Sequence, residues 1–188
     1  MICHRQIRRL HPQQLAAGSR GGRAGAIYLE FLLVFPIVFV ATMAIFQFGL
    51  LSLAIQDATN AVIEGGRTAA AAYPSGASND DIADAVMAVM NKHLAVQGLK
   101  IGGGGTAQII VERGTGSSET RGTLPGSFMT VPSGPALDST EARVTLAFPL
   151  VSPTDTDNYG KPVPDWLGWI GFSLSNYKFQ LSSRATLE

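Results

Sequence analysis

The feature that most constrains this chain is a long apolar stretch near its beginning. Residues 31–55 read FLLVFPIVFVATMAIFQFGLLSLAI and contain no charged side chain. A helix that crosses a lipid bilayer needs roughly 20 consecutive apolar residues. The stretch therefore predicts a membrane-spanning helix. Because the apolar core of a secretory signal has only about 7–15 residues, we expect this helix to be retained rather than removed.

The charged residues are distributed unequally on the two sides of this stretch. Residues 1–25 carry five of the fourteen Lys and Arg residues and no acid, whereas the rest carries nine basic and all fourteen acidic side chains. Positive charge beside an apolar span favours the cytoplasmic side. We expect a cytoplasmic N-terminus and an extracytoplasmic C-terminal region. A nucleic-acid-binding arm is the competing interpretation of residues 1–25, but the arginines are sparse and adjoin the span.

The pattern divides the chain into a basic leader (1–25), a transmembrane and extended helix (26–72) and an extracytoplasmic α+β domain (73–188). We expect the helix to begin near Ala26 and to kink near Phe31–Leu32, because Pro36 removes a backbone donor. Sequence compatible with a helix continues to Ala72, and Tyr73-Pro74 should end it, since a residue before proline avoids helical geometry.

The C-terminal region predicts one more helix and three short strands. Asn79 is a plausible N-cap for a helix that ends near Gly98. Apolar alternation predicts strands at residues 107–113, 141–148 and 172–187, with a turn-rich segment at 114–135. The expected fold class is α+β, in which a long N-terminal membrane-spanning helix continues into a small antiparallel-sheet domain. The only cysteine is Cys3, so that domain must hold together without a disulfide.

Residues suited to catalysis or metal binding are scarce. After Gly25 the chain has no cysteine and one histidine, His93, so no triad or metal cluster can be assembled around them. We predict no enzyme activity, no cofactor and no metal site. Gly102–Gly105 lacks the Gly-Lys-Ser/Thr of a phosphate loop. The acids of residues 155–160 alternate as in a calcium loop, but Tyr159 replaces a ligand and no glutamate closes the loop, so a solvated loop is favoured.

Gln47 and the aromatic segment Trp166–Ile170 each permit more than one interpretation. Gln47 is the one strongly polar side chain in the apolar stretch. It is either a tolerated polar residue or a hydrogen-bonding partner for a neighbouring helix. The segment WLGWI predicts core packing, with a membrane-interface site or a subunit contact as alternatives.

Glu30 stands at the entrance of the apolar stretch. A charge that enters a bilayer costs roughly 2.5–3.5 kcal/mol, so it usually has a partner and a role. If the chain were cut after Gly25, the new ammonium group of Ala26 would lie one helical turn from Glu30. That group could pair with Glu30 of the same chain or of a neighbouring subunit. A glutamate that reaches to the lipid headgroups is the plain alternative.

These residues resemble those of a known family. Gly25-Ala26 followed by Glu30 is similar to a prepilin-peptidase site, with glycine before the cut and glutamate as the fifth residue after it. Residues 30–36 (EFLLVFP, including Phe31 and Pro36) resemble the E-F-A-L-V-L-P start of TadE-like pilins. Residues 60–70 are similar to that family's N-A-x-x-E-G-A-R-x-A-A, with the matching residues Asn60, Glu64, Gly65 and Arg67. Residues 181–188 resemble its C-terminal strand.

TadE-like proteins are minor pilins, or pseudopilins, of the tight-adherence (Flp) type IV pilus. The resemblance implies insertion in the bacterial cytoplasmic membrane, cleavage at Gly25-Ala26 by a prepilin peptidase, and assembly with other pilin-like subunits and the pilus machinery. It gives Glu30 a role in subunit registry. Ala26 replaces the phenylalanine of other type IV prepilins, so N-methylation does not follow. Gly66 stands where the family usually has alanine.

A second function class is compatible with the sequence. An uncleaved single-pass membrane protein could carry an extracytoplasmic domain that binds a ligand. Such a protein would have no use for Gly25 or Glu30, so cleavage discriminates between the two hypotheses. An enzyme is a more distant third, because it would need an unrecognised pocket of carboxylates.

Overall fold

The computed structural model describes residues 21–73, 76–114, 116–124, 134–151, 163–175 and 177–187, with side chains from residue 25 onward. The chain forms two compact units, residues 1–42 and 43–188. Most of the predicted leader, Pro74 and the 155–160 loop considered for calcium lie outside the described residues.

Helix α1 runs from Gly21 to Ala72. It begins five residues before Ala26, where we expected it to start, and it includes Pro36. Its first unit exposes nearly all of its large apolar side chains, with Leu32 75% and Ile37 66% exposed. Among the described residues, one helix, Gly25–Ala72, is long and apolar enough to cross a membrane. This agrees with the predicted spanning segment.

Within the second unit, α1 buries a stripe of mostly small side chains. The stripe repeats every three or four residues, which is the spacing of one helix face. Small residues let neighbouring elements approach the helix backbone closely. Its members are Gln47, Ala54, Ala58, Ala61, Val62, Gly65, Gly66, Ala69 and, just past the helix end, Tyr73.

Helix α2 runs from Asn79 to Leu94. Its N-cap is Ser78 rather than the predicted Asn79, because the Ser78 hydroxyl accepts a hydrogen bond from the Asp81 backbone N–H at 3.2 Å. The helix buries Ile82, Ala83, Val86, Met90 and Leu94, whereas His93 is exposed. A short 3-10 turn follows at Ala95–Gln97, and Gly98 ends it in the left-handed region, with φ 68°.

Among the described residues, four antiparallel strands form one sheet with the order β2-β1-β3-β4. Their bounds are β1 Gln108–Arg113, β2 Ser118–Gly122, β3 Glu141–Pro149 and β4 Lys178–Thr186. Strand β2 lies where we predicted only turns and loops, because its sequence SETRG has no apolar alternation to reveal it. Strand β4 begins six residues after Phe172, where we expected that strand to start.

The core of the second unit lies between the sheet and the two helices. Strand β3 is the central contributor, and every residue from Ala142 to Pro149 is buried. Helix α2 contributes Ile82, Val86 and Met90, which are at most 1% exposed. The α+β class, with a long N-terminal helix and a small antiparallel sheet, is confirmed.

Candidate functional site on the long helix

The predicted processing residues lie in the first unit, on α1. Gly25, Ala26 and Glu30 are all exposed. The backbone at Gly25 is helical. Ala26 and Glu30 therefore lie one turn apart on one helix face, as the sequence predicted. No residue in the described ranges forms an ion pair with Glu30.

Phe31 begins a row of exposed aromatic rings on the same unit. The ring centroids of Phe31 and Phe35 lie 5.7 Å apart, and those of Phe35 and Phe39 lie 6.1 Å apart. The three side chains repeat every four residues, so they share one face of the helix. Pro36 is exposed beside this row. An apolar face of this kind suits contact with lipid or with the helix of another subunit.

The remaining candidate residues lie in the second unit, between Asn60 and Arg67. Asn60 is exposed, and Glu64 and Arg67 form an ion pair in which Nη1 lies 3.4 Å from Oε2. The Arg67 side chain is 74% exposed, so solvent screens this pair and its contribution to stability is small. Both charges therefore remain accessible on the helix surface.

Gly65 is buried where α2 crosses α1. A Cβ on this residue would lie 2.9 Å from the Met90 Sδ and 3.4 Å from the Val86 Cγ1. Contacts below 3.0 Å are essentially never seen for a real Cβ, so any side chain at this position would force the Met90 side chain to move. Gly66 faces the sheet, where a Cβ would lie 3.1 Å from the Ser183 Oγ. Gly65 and Gly66 therefore let α1 pack closely against both α2 and the sheet.

Residues 25–67 match the family model of TadE-like proteins. The matched segment is about a quarter of the chain and includes every candidate residue described above. It confirms, for these residues, the resemblance to TadE-like proteins drawn from the sequence. Neither the search of curated proteins nor that of solved structures found a match.

The end of the TadE-like segment borders an open groove of about 640 Å³ on the second unit. Helix α1 supplies Arg67 to its lining, and the sheet supplies Glu141 and Arg184. Arg184 Nη1 lies 3.8 Å from Glu141 Oε2, which is a loose ion pair. Sequence reasoning singled out Arg67 but had no signal for Glu141 or Arg184, since only the fold brings them together. A groove with two guanidinium groups can receive carboxylates of another protein segment.

Gln47 lies inside the TadE-like segment and forms a hydrogen bond within the second unit. It is fully buried, and its Oε1 accepts a hydrogen bond from the Leu167 backbone N–H at 3.0 Å. This bond thus joins Gln47 to the loop before β4, and the hydrogen bond to a neighbouring helix that we considered stays a prediction. Its Nε2 is buried without a partner among the described residues.

The aromatic segment 166–170 is only partly in the core. Leu167 is 4% exposed, but Trp166 is 42% and Trp169 70% exposed. The prediction that this segment packs in the core is therefore wrong for both tryptophans. The sequence pattern WLGWI could not show this, because a short 3-10 turn at Gly168–Ile170 directs alternate side chains differently from a strand or an α-helix.

The described residues contain no group of three or more His, Cys, Asp or Glu side chains that could hold a metal ion. The strongest polar cluster lies elsewhere, at the start of α2. Arg121 on β2 donates to Asp84 at 2.6 Å and also bonds to the Asp80 carboxylate. These hydrogen bonds raise the pKa of Arg121. The cluster attaches the edge strand β2 to helix α2 through charge-assisted hydrogen bonds.

Proposed function

We propose that this chain is a pseudopilin-like structural subunit that acts in assembly of a tight-adherence pilus after prepilin-peptidase cleavage between Gly25 and Ala26. It is a substrate of that peptidase and has no catalysis of its own. Its helix anchors it in the bacterial cytoplasmic membrane, with the leader in the cytoplasm and the second unit outside. Its partners are other pilin-like subunits and the pilus assembly machinery.

One observation carries the proposal: a single helical segment, residues 25–67, combines an exposed apolar face that bears Glu30 with a buried motif that supports a folded unit. The first half is what an assembling membrane helix needs, because association in lipid depends on side-chain packing and on a few polar contacts. The second half explains Gly65 as a packing residue. The TadE-like match covers both halves.

Cleavage would give Glu30 its partner. A cut after Gly25 leaves an ammonium group on Ala26, and a carboxylate in a low-dielectric environment is stabilised by a nearby positive charge. Pairing between Ala26 of one subunit and Glu30 of the next would fix their axial register. The exposure of Glu30 and the lack of an ion-pair partner among the described residues favour such an intermolecular role.

The test is the N-terminal residue and intact mass of the protein purified from its native membranes. The wild type is expected to begin at Ala26, whereas Gly25→Ala should keep the leader. Gly49→Ala, a control glycine of the same helix, should be cleaved normally. Glu30→Ala should be cleaved but fail to co-purify with pilin-like partners, and Glu30→Asp should retain part of that association.

Retention of residues 1–25 in the wild-type protein from native cells would overturn the proposal. The uncleaved single-pass protein with a ligand-binding domain would then be the better hypothesis. Normal association of Glu30→Ala with its partners would leave cleavage in place but remove the registry role of Glu30.

A further inference from the structure

The segment 163–175 is a tightly tied loop that precedes β4. Its ends are joined through Asp165, whose Oδ2 accepts a hydrogen bond from the Ser173 hydroxyl at 2.5 Å and whose Oδ1 accepts one from the Leu174 N–H at 3.3 Å. Three buried side chains anchor the loop to the unit: Val163, Leu167 and Leu174. The loop therefore has a defined shape and presents its other side chains in fixed directions.

The side chains that this loop presents to the outside are large and apolar. Trp169 is 70% exposed, and Trp166, Ile170 and Phe172 are each between 42% and 46% exposed. Asp165 is the only charged residue of this segment, and its carboxylate is occupied by the loop's own hydrogen bonds. We call these four side chains the aromatic patch. An exposed apolar patch of this kind on a folded protein marks a site of contact with a membrane or with another protein.

The aromatic patch is continuous with the apolar surface of α1 in the second unit. The ring centroids of Phe172 and Phe48 lie 6.0 Å apart, and the Leu167 N–H binds Gln47. The preceding turn of the helix exposes Ile45 by 73% and Phe46 by 61%. No charged residue lies between Phe31 and Phe48 on the helix. Within the second unit, the patch therefore contacts the helix at Phe48, next to the exposed Ile45 and Phe46.

The length of α1 indicates that this surface lies at the boundary of the lipid bilayer. The roughly 21 residues from Ala26 to Phe46 span about 31 Å as a helix, which equals the thickness of about 30 Å of a bilayer's hydrocarbon core. Gln47, the first fully buried polar residue, follows at once. A helix that enters at Ala26 thus leaves the hydrocarbon beside the aromatic patch. Tryptophan is enriched at this level of a membrane, because its ring is apolar and its N–H is polar.

We propose that the aromatic patch inserts into the interfacial layer of the bilayer that α1 crosses, on the extracytoplasmic side. The second unit is then held by two attachments, the helix and the patch, which together fix its height above the membrane. This inference rests on the membrane anchoring proposed above. A second copy of the chain is the other candidate occupant, but the patch continues a helix surface that faces lipid by the same length argument.

The experiment uses the full chain reconstituted in phosphatidylethanolamine–phosphatidylglycerol vesicles that contain spin-labelled lipids. The chain has only two tryptophans, so Trp166→Phe and Trp169→Phe each leave one native fluorescent probe. Spin labels at the headgroup or at carbon 5 of the acyl chain should quench each probe at least twofold more strongly than a label at carbon 12. Emission should shift to shorter wavelength in vesicles, compared with urea-unfolded protein.

A matched control places a tryptophan away from the patch. Val96 is 78% exposed, and its neighbour Gln97 bonds to Asp57, which lies ten residues, or about 15 Å, farther along α1 than Gln47. In the Trp166→Phe/Trp169→Phe background, Val96→Trp should therefore not be quenched by any lipid label. Equal quenching of Val96→Trp and of the native tryptophans would overturn the proposal.

Carbonate extraction keeps the two proposals separate. If the chain resists extraction but neither tryptophan is quenched, the aromatic patch does not enter the membrane, while the anchoring stands. If quenching is absent at low protein density and the emission shifts only as density rises, the patch binds a second copy and the inference is wrong. If carbonate releases the chain, the membrane anchoring itself is wrong and the inference fails with it.

Discussion

The carboxamide of Gln47 and the backbone of Leu167, 120 residues apart in sequence, are joined by a hydrogen bond of 3.0 Å at a fully buried site. This bond attaches the loop that carries the aromatic patch to the helix. It also shows where α1 changes from an exposed apolar helix to one that is covered by its own chain.

Replacing Gln47 with leucine should loosen the loop. The Leu167 N–H would lose its acceptor in a buried environment, which costs about 1–3 kcal/mol. Amide hydrogen exchange of Leu167 and its neighbours should accelerate by roughly 5- to 150-fold, because each 1.4 kcal/mol corresponds to a factor of ten. Exchange in β1 and β3 should change much less. Gln56→Leu, at an exposed position of the same helix, should leave Leu167 protected. Unchanged exchange in Gln47→Leu would contradict the role assigned to this bond.

The long helix and the strands β1 and β3 could be predicted from sequence, because their apolar patterns are strong and local. Strand β2 could not, since its residues Ser118–Gly122 pair through backbone groups and through Arg121 rather than through apolar side chains. The Ser78 cap was missed because Asn79 is also a good capping residue, and only the geometry distinguishes them.

The candidate site was predictable to the same extent. The motif gave Glu30, Gly65 and Arg67 directly. It gave neither Met90, which packs against Gly65, nor Arg184, which shares a groove with Arg67. Those relationships depend on contacts between residues that are far apart in sequence, and no local pattern encodes them. The exposure of Trp169 likewise could not be predicted from a local pattern.

Gly65→Val should destabilise the second unit. The added side chain must displace Met90, which is fully buried, and such overpacking costs about 1–3 kcal/mol. Gly49→Val is the matched control, because the same change there meets nothing within 4 Å and has the same intrinsic effect on helix formation. The midpoint of urea unfolding in detergent, followed by tryptophan fluorescence, measures the difference. Equal midpoints for the two variants would show that the contact with Met90 does not limit the size of the side chain at residue 65.

Glu112→Ala should be far more damaging than Glu64→Ala. Arg143 is 3% exposed and its Nε lies 2.7 Å from Glu112 Oε2, so loss of Glu112 leaves a buried charge without its carboxylate, at a cost of about 3–5 kcal/mol. Glu64 pairs with the exposed Arg67, and its loss should cost less than about 1 kcal/mol. Thermal unfolding of the two variants provides the comparison. A similar loss in both would mean that water reaches Arg143.

The stability of the second unit should fall above pH 10, with Tyr73 as one cause. Burial raises the pKa of Tyr73 above its ordinary value of 10, the positive charge of Arg113 opposes that rise, and Glu119 adds to it. Above pH 10 the unfolded chain releases the tyrosine proton while the folded chain still holds it. Folding then becomes less favourable by up to about 1.4 kcal/mol per pH unit, until the folded pKa is reached.

Tyr73→Phe should remove this part of the pH dependence. Between pH 6 and 9, residue 73 should contribute no comparable slope to the plot of unfolding free energy against pH. Tyr177→Phe, at a 61% exposed position, is the control and should retain the alkaline loss. Urea unfolding between pH 8 and 11.5 gives the slopes. If the wild type and Tyr73→Phe lose stability in parallel, the burial of Tyr73 is not coupled to its titration.

If the second unit is exported, as we propose, the pairing of β3 with β4 has a consequence for the order of events during export. Strand β3, at residues 141–149, lies inside the sheet, yet its partner β4 is synthesised almost 30 residues later. A chain threaded through a membrane channel from its N-terminal side cannot complete this sheet until residue 186 has emerged. The second unit would therefore cross the membrane in an unfolded state. Its sheet would form in one cooperative step on the far side, after α1 has inserted.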